Sequence, residues 1–578
     1  MDAHGGIVSP LLVEEEHPPP RRRGLSEGAR RALYVCPPLL CAAVGLACLT
    51  SSRGRAAPAP ARPKHNRTYV PPLPDFSVPN FVYRPKYACA ICLDIINAQP
   101  SLAAGERACA VFGACDAINQ STSSCDAHCA DAAIAEAARM PRPADIAHTL
   151  NLRVSKGLGS KPYELVRLSV VTSPGEATPL LGGAPFDYSA PFRYRWTQHS
   201  LHSSLVRVVP GAAPTIFDVA GTPVRLSLPR VGAGVSGVLI ADPCVAYSSI
   251  TALVACTYGV RYALARRLPE LLDAFVGSNA SDVSYWGILG DNLYDRTGEV
   301  SRSFFDSLAL GTKSKILLTV PGNHDYFVLG TPRVATRWDQ FGNGFMQWYA
   351  QDSAAASTLM PGDTGAPFDF SKDPDAGRSP DRPFGGQKVA LANTFWYNQV
   401  GNVGFIGFSG AYTYHDTLPL VRDACASLAA QPGVRLLVLL GHWDVDNLGC
   451  KLQMDVPTYY DYVSTLPGCA HFARSGMLKF FMGHTHCNVP HPHGHVDTGF
   501  MVAGQGMEGC GTWGLPVLDT TAELVRVWYF PIVLDPSEPS ALIDGRYERV
   551  LECARAAGWR ACTHLATLWL NQSLLAPA

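Results

Sequence analysis

The feature that most constrains this 578-residue chain is a set of short apolar runs that each stop on polar residues. "SGVLIAD" ends on Asp242. "YWGILGDNLY" delivers Asp291 and then Tyr294. "KILLTVPGNHD" delivers Asn323, His324 and Asp325. "VRLLVLLGHWD" delivers His442, and "LKFFMGHTH" delivers His484 and His486. Short runs rich in Val, Ile, Leu and Phe, closed by Gly or Pro, read as buried strands. Helix-like stretches separate several of them, among them residues 248–268 and "EVSRSFFDSLAL". Strands alternating with helices predict an α/β layer architecture over residues 231–535. In open α/β sheets, ligands bind at the carboxyl ends of the strands, which is where these polar residues fall.

A glycine stands directly before Asp291, Asn323, His442 and His484. Glycine lets the backbone turn sharply and approach a neighbour closely. Hard oxygen donors combined with imidazoles suit Fe, Zn or Mn rather than Ca. One histidine at a strand end is ordinarily a satisfied core residue. Five strand ends of one form predict a metal centre instead.

The rest of the chain frames this region. Arginines 21–23 and 30–31 precede a charge-free run at 32–50, "ALYVCPPLLCAAVGLACLT", just long enough to span a bilayer. The arginine bias predicts a signal anchor with residues 1–31 as a cytoplasmic tail; a cleaved signal peptide is the alternative. Residues 51–80 read as a Pro-rich stalk. Residues 81–150 form a Cys-rich module with six cysteines, and Cys89-x-x-Cys92 there suits a disulfide staple or zinc. Residues 151–230 read as a β-rich module, with apolar and polar residues alternating over 160–230. Residues 536–578 read as a helical C-terminal tail with a Cys553–Cys562 bridge.

Three of the 18 cysteines, Cys36, Cys41 and Cys48, fall in the apolar run. The remaining fifteen suit an oxidising lumenal or extracellular compartment, and their odd number leaves at least one outside a disulfide within the chain. Asn66, Asn119, Asn279 and Asn571 are glycosylation acceptors by triplet. A formal net charge of -1 gives no footing for nucleic-acid binding.

"GDNLY", "GNHD", "GHW" and "GHTH", in this order, resemble the metallophosphoesterase (calcineurin-like) superfamily. The tyrosine of "GDNLY" is similar to purple acid phosphatases, and "ILGDNLYDRTGE" looks most like their small tartrate-resistant type. The resemblance covers roughly residues 235–532. It implies a four-layer αββα sandwich holding two metal ions, Fe(III) plus divalent Fe, Zn or Mn. Asp291 would bridge them. Asp242, Tyr294 and His486 would complete the first site, and Asn323, His442 and His484 the second. His324 would be the proton donor and Asp325 its orienting partner. The implied activity is acid-phosphatase-like hydrolysis of phosphomonoesters, with a metal-bridging hydroxide attacking phosphorus. A phosphodiesterase acting on nucleotides or lipid head groups is the rival within enzymes. A binding ectodomain with weak catalysis is the rival outside them.

The first motif departs from the family. Where the pattern has Asp-x-His or Asp-x-Gly, this chain has Asp242-Pro243-Cys244. Cys244 is open to three roles, thiolate ligand, disulfide partner or filler. The compartment favours a disulfide, with Cys256 the first partner to test. His415 follows a strand and is a candidate for substrate contact. The aromatic stretch 338–349 reads as a lid or a packed surface loop, and "HPHGH" at 491–495 as a metal scavenger or an ordinary loop.

Overall fold

The computed structural model describes residues 149–156, 162–191, 199–245, 262–294, 299–325, 349, 395–410, 412, 414–444, 454–490, 495, 497–503 and 510–574. All belong to one compact unit, Val70–Ala578. The expected tail, membrane run and stalk lie outside them, as do Asn66, Asn119 and nearly all of the Cys-rich module. Among the described residues no helix is long and apolar enough to cross a membrane.

In chain order the first eight strands are β1 (Leu152–Lys156), β2 (Leu165–Thr172), β3 (Leu180–Leu181), β4 (Ala184–Pro185), β5 (Tyr188–Pro191), β6 (Ser200–Arg207), β7 (Thr215–Val219) and β8 (Thr222–Leu226). The first three polar-ended runs form β9 (Ser236–Ile240), β10 (Tyr285–Leu289) and β11 (Ile316–Val320). Then come β12 (Trp396–Val400), β13 (Val403–Gly407), β14 (Leu436–Gly441), β15 (Leu478–Met482), β16 (Asn488–Pro490) and β17 (Gly499–Val502). The last are β18 (Trp513–Thr520), β19 (Leu524–Val533) and β20 (Thr567–Ser573).

These strands make a ten-stranded sheet, β20-β19-β18-β9-β10-β11-β1-β2-β6-β5, and a six-stranded sheet, β12-β13-β14-β15-β17-β16. A small sheet, β4-β3-β7-β8, stands apart from both. The strands that deliver polar ends are parallel neighbours, β9-β10-β11 in one sheet and β14-β15 in the other. Parallel pairing sends all their carboxyl ends to one edge of each sheet.

Period-two alternation puts the two faces to different uses. In β10, Tyr285 and Leu289 face the six-stranded sheet, and Tyr285 meets Phe405 of β13 edge to face at 5.0 Å. Between them, Trp286 and Ile288 turn outward to the helices, Trp286 lying 6.0 Å from Phe305. On that outer side are α1 (Leu264–Leu272), α2 (Glu299–Ser307) with the short α3 (Leu310–Lys313) after it, and, near the C-terminus, Ser540–Ala557. Helix α1 buries Leu264, Leu268, Leu271 and Leu272, one stripe at helical spacing. Each such fully buried side chain contributes about 1.5–3 kcal/mol of hydrophobic stabilisation.

The far face of the six-stranded sheet carries α4 (Tyr414–Ala430) and α5 (Val456–Val463), with α6 (Ala470–Arg474) beside them. There a side chain at Gly404 would meet Leu428 of α4, while the next residue, Phe405, faces the other sheet. Asp455 caps α5 by accepting from Thr458 N–H at 2.7 Å. The order is helix, sheet, sheet, helix.

Two segments expected to stand apart do not. The strands of 151–230 form, but β1 pairs in parallel with β11 and antiparallel with β2, so β1, β2, β6 and β5 extend the ten-stranded sheet. In the C-terminal segment the helix Ser540–Ala557 (α7) and the Cys553–Cys562 disulfide are present. "TLWLNQS", however, is strand β20, which pairs with the open edge of β19 and buries Leu570. A free strand edge is a stronger partner for this segment than its own helical propensity.

Candidate metal centre

Four glycines explain how the strand ends fit together. A side chain at Gly290 would lie 2.4 Å from His442 Nδ1. One at Gly322 would lie 2.2 Å from the Asp291 nitrogen, and one at Gly483 2.7 Å from His442 Nδ1. One at Gly441 would meet Val456 of α5 at 2.6 Å. The first three clear the space in which the ends of the two sheets interlock. The polar residues themselves carry the remaining strain. Asp242, Asp291, Tyr294, His484 and His486 all have positive φ, between 48° and 73°. Non-glycine residues rarely adopt this region, and where they do they cluster at functional sites.

Two groups of donors result, meeting at the seam between the sheets. In the first, Tyr294 donates its hydroxyl to Asp242 Oδ1 at 3.0 Å, and His486 Nε2 lies 3.3 Å from the Tyr294 oxygen and 3.4 Å from Asp242 Oδ1. In the second, Asn323 Oδ1 lies 3.1 Å from both His442 Nε2 and His484 Nδ1. Asp291 Oδ1 is 3.3 Å from His442 Nε2. Asp242, Asp291 and His486 offer ligand atoms all within 4.8 Å of one another, so Asp291 adjoins both groups. With metal–ligand bonds of about 2.0–2.2 Å, donors around one ion sit about 3–3.5 Å apart. The spacing within each group matches.

The charge balance fits cations as well. Asp242 and Asp291 are fully buried, and among the described residues neither meets a lysine or arginine. Isolated buried carboxylates are costly unless paired or metal-bound. His442 Nδ1 faces the Leu289 carbonyl at 2.8 Å and so carries a proton. Its Nε2 then faces three oxygens, from Asn323, Asp291 and Asp242. Without a cation between them the ring must be charged. Burial alone would lower its pKa, but the Asp291 and Asp242 carboxylates push it up to about 9. Burial would likewise raise Asp291, yet the facing His442 and His324 hold it well below the carboxylate range. Burial and the charge of His442 hold His484 down to about 4, so its ring is neutral; its buried Nε2 has no hydrogen-bond partner among the described residues. Burial, then Asp242 and Asp291, push the Tyr294 phenol far up, so without a cation it remains a donor.

No family model matches this chain, and no curated protein does. Three solved structures are similar to it. The purple acid phosphatase PPD1 from yellow lupin (Lupinus luteus) seeds is 11% identical at a TM-score of 0.42, over 66% of this chain and 72% of that one. PhoD is 9% identical at a TM-score of 0.36, over 66% of this chain and 86% of that one. A dimetal phosphatase from Danio rerio is 10% identical at a TM-score of 0.27, over 51% of this chain and 95% of that one.

The other expected residues fall in varied places. His324 is exposed at the rim. Its backbone N–H donates to Asp291 Oδ1 at 2.8 Å, and its ring stands edge to face on Tyr294 at 5.0 Å. Asp325, expected to orient His324, follows it directly in the loop after β11. Its hydrogen bonds among the described residues come from Gly322 N–H at 2.6 Å and from Asn292, backbone and side chain. It locks the β11 loop to the β10 loop, and burial together with the charge of Asp291 raises its pKa to about 7. Cys244 is buried and disulfide-bonded, not a thiolate ligand. The other six described cysteines pair among themselves, so its partner, like Cys256, lies outside the described residues. His415 sits exposed in the first turn of α4 with its ring against Tyr414. Asn279 and Asn571 are exposed. Residues 338–348 and 491–494 lie outside the described residues.

Two residues at the centre carry no ligand pattern and escaped the sequence reading. Asn292 holds Asp325 and the Val320 carbonyl, and the only signal for it was its place in "GDN". Cys487 follows His486 directly and is bonded to Cys510, a pairing that sequence alone leaves open.

Proposed function

We propose that this chain is a binuclear metal-dependent hydrolase of phosphate esters, acting on phosphomonoesters. The observation that carries this is the convergence of two donor groups on Asp291 in a buried seam that holds no lysine or arginine among the described residues. Asp242, Tyr294, His486 and Asp291 would hold one cation, and Asn323, His442, His484 and Asp291 the other. The anionic phenolate that Tyr294 can become suits Fe(III) at the first; the amide and imidazoles of the second suit divalent Fe, Zn or Mn. Two such cations supply activated water near neutral pH and a clamp for phosphoryl oxygens.

The chain's own residues do the rest. Asp291 ties the two groups together and orients the β11 loop through His324 N–H. His442 is fixed by the Leu289 carbonyl so that only Nε2 points inward. His324, exposed beside Tyr294, stands where it can give a proton to the leaving oxygen of an ester entering from solvent. Asp325 and Asn292 hold the loop that carries it.

The motif order, with its likeness to purple acid phosphatases, supports the monoester reading and a mildly acidic working range. The described disulfides support an oxidising compartment, and the run at 32–50 supports attachment to a membrane with the catalytic part lumenal or extracellular. Assaying the purified chain on aryl phosphomonoesters and matched diesters, with bound metals quantified, tests the reading. Turnover of monoesters by protein holding two metals is expected. Protein that holds no metal would end it.

A further inference from the structure

His486 is the least secured member of the two donor groups. Strand β15 ends at Met482, so His486 lies four residues beyond it, in positive φ and with its side chain 23% exposed. His442, by contrast, is fully buried one residue after β14 and fixed by the Leu289 carbonyl. His486 also belongs to the six-stranded sheet, whereas Asp242 and Tyr294 come from β9 and β10 of the other. The first donor group therefore exists only while the two sheets keep their offset at this point.

A stitched seam holds that offset. Cys487 is bonded to Cys510, and Cys510 N–H donates to the His486 carbonyl at 3.3 Å. One residue further, Asn488 N–H donates to Thr512 Oγ1 at 3.3 Å and its side-chain amide to the Thr512 carbonyl at 3.4 Å. Residues 510–512 lead straight into β18, which pairs with β9, the strand that leads to Asp242. Tyr262 secures them from the outer side, donating its hydroxyl to the Gly511 carbonyl at 3.0 Å. The disulfide thus ties the His486 turn covalently to the strand beside Asp242.

We infer that Cys487 and Cys510 are positioning residues for the first cation: their disulfide sets His486 against Asp242 and Tyr294, and the second donor group does not depend on it. The inference rests on the two-cation reading of the site. Neither sulfur touches the reacting atoms; they act through His486.

The test is metal content in the full chain. Replacing Cys487→Ser together with Cys510→Ser should lower bound metal from two ions per chain to one, the lost ion binding about 10–100-fold more weakly, the range for residues that orient ligands. His486→Ala should give the same result, and adding it to the serine pair should cost nothing more. Cys425→Ser with Cys469→Ser, which opens the disulfide between α4 and α6, should leave both ions bound. Should the serine pair fail to fold, the folded, metal-loaded wild type can be treated with a water-soluble phosphine. Each opened disulfide gives two thiols while the phosphine takes oxygen from water to become its oxide. Release of one ion in step with opening of Cys487–Cys510, tracked by peptide mapping, is expected. Retention of both ions at wild-type affinity, or loss of both together, would overturn the inference. Wild-type protein that holds no metal would instead sink the two-cation reading.

Discussion

The ring of His442 fills the space that Gly290 leaves open, with 2.4 Å between its Nδ1 and the point where a side chain on Gly290 would begin. The two residues come from different sheets, and Gly290 also has φ +86°, a conformation that side chains resist. Gly290→Ala should therefore cost about 1–3 kcal/mol of stability from overpacking alone and displace His442. A lower melting temperature together with loss of one bound ion is expected. Unchanged metal content would show that His442 is not a ligand.

His324→Ala should lower turnover by roughly 10²-fold or more with metal content unchanged. His324 stands at the exposed rim, and its hydrogen bond to Asp291 is made by its backbone N–H, which alanine keeps. Steady-state kinetics beside metal analysis decide this, and full activity in the variant removes the side chain from the mechanism.

Tyr294 gives an optical test of metal identity. If the first cation is Fe(III), a Tyr294 phenolate on it absorbs visible light, so purified protein should be coloured and Tyr294→Phe should bleach it. A colourless, zinc-loaded, fully active protein would refute the iron assignment and leave the two-cation reading standing.

Stability of the metal-stripped protein should depend on pH through His442. Its folded pKa, about 9, lies above the ordinary 6.5, so its contribution is complete below pH 6.5 and fades as pH rises to about 9. His484, held near 4, works oppositely, removing stability as pH falls from 6.5 towards 4. Denaturation of stripped protein should show a decline from pH 6.5 to 9. Cation loading should reverse the decline and release about two protons per chain near pH 7 to 8, one from His442 and one from the Tyr294 phenol where it becomes a phenolate, measurable by calorimetry in buffers of differing ionisation enthalpy. A flat profile with no proton release would mean that His442 does not titrate against the site.

Asn279 and Asn571 are exposed, and the run at 32–50 follows an arginine-rich lead. Glycosidase treatment should shift the mass of the expressed protein, and an alkaline wash should leave it with membranes. Recovery in the soluble fraction would favour a cleaved signal.

The candidate ligands were legible because each lies within a few residues of a strand end, so strand and donor share one short window. The preceding glycines were legible for the same reason, although which ring each accommodates was not. Gly290 and Gly483 both serve His442, well over a hundred and some forty residues away in sequence. The partners of Asp325 were not legible, because Asn292 reaches it from the loop after another strand. The place of β1 was hidden too. Leu152–Lys156 falls within the expected β-rich stretch, but nothing local reveals a parallel partner in β11.

That last pairing has a consequence for biosynthesis. Val154 of β1 pairs with Ile316, about 160 residues later, and the opposite edge of the sheet closes only with β20, near the end of the described chain. At about 5–20 residues per second, an emerging β1–β2 pair waits on the order of ten to thirty seconds before β11 leaves the ribosome. Until then β1 offers an open edge to any neighbouring chain. In the oxidising compartment proposed for this chain, cysteines would meanwhile meet before the sheets that should bring them together exist. Production of this protein will thus be governed less by its final stability than by how well the cell shields that edge and reshuffles early disulfides.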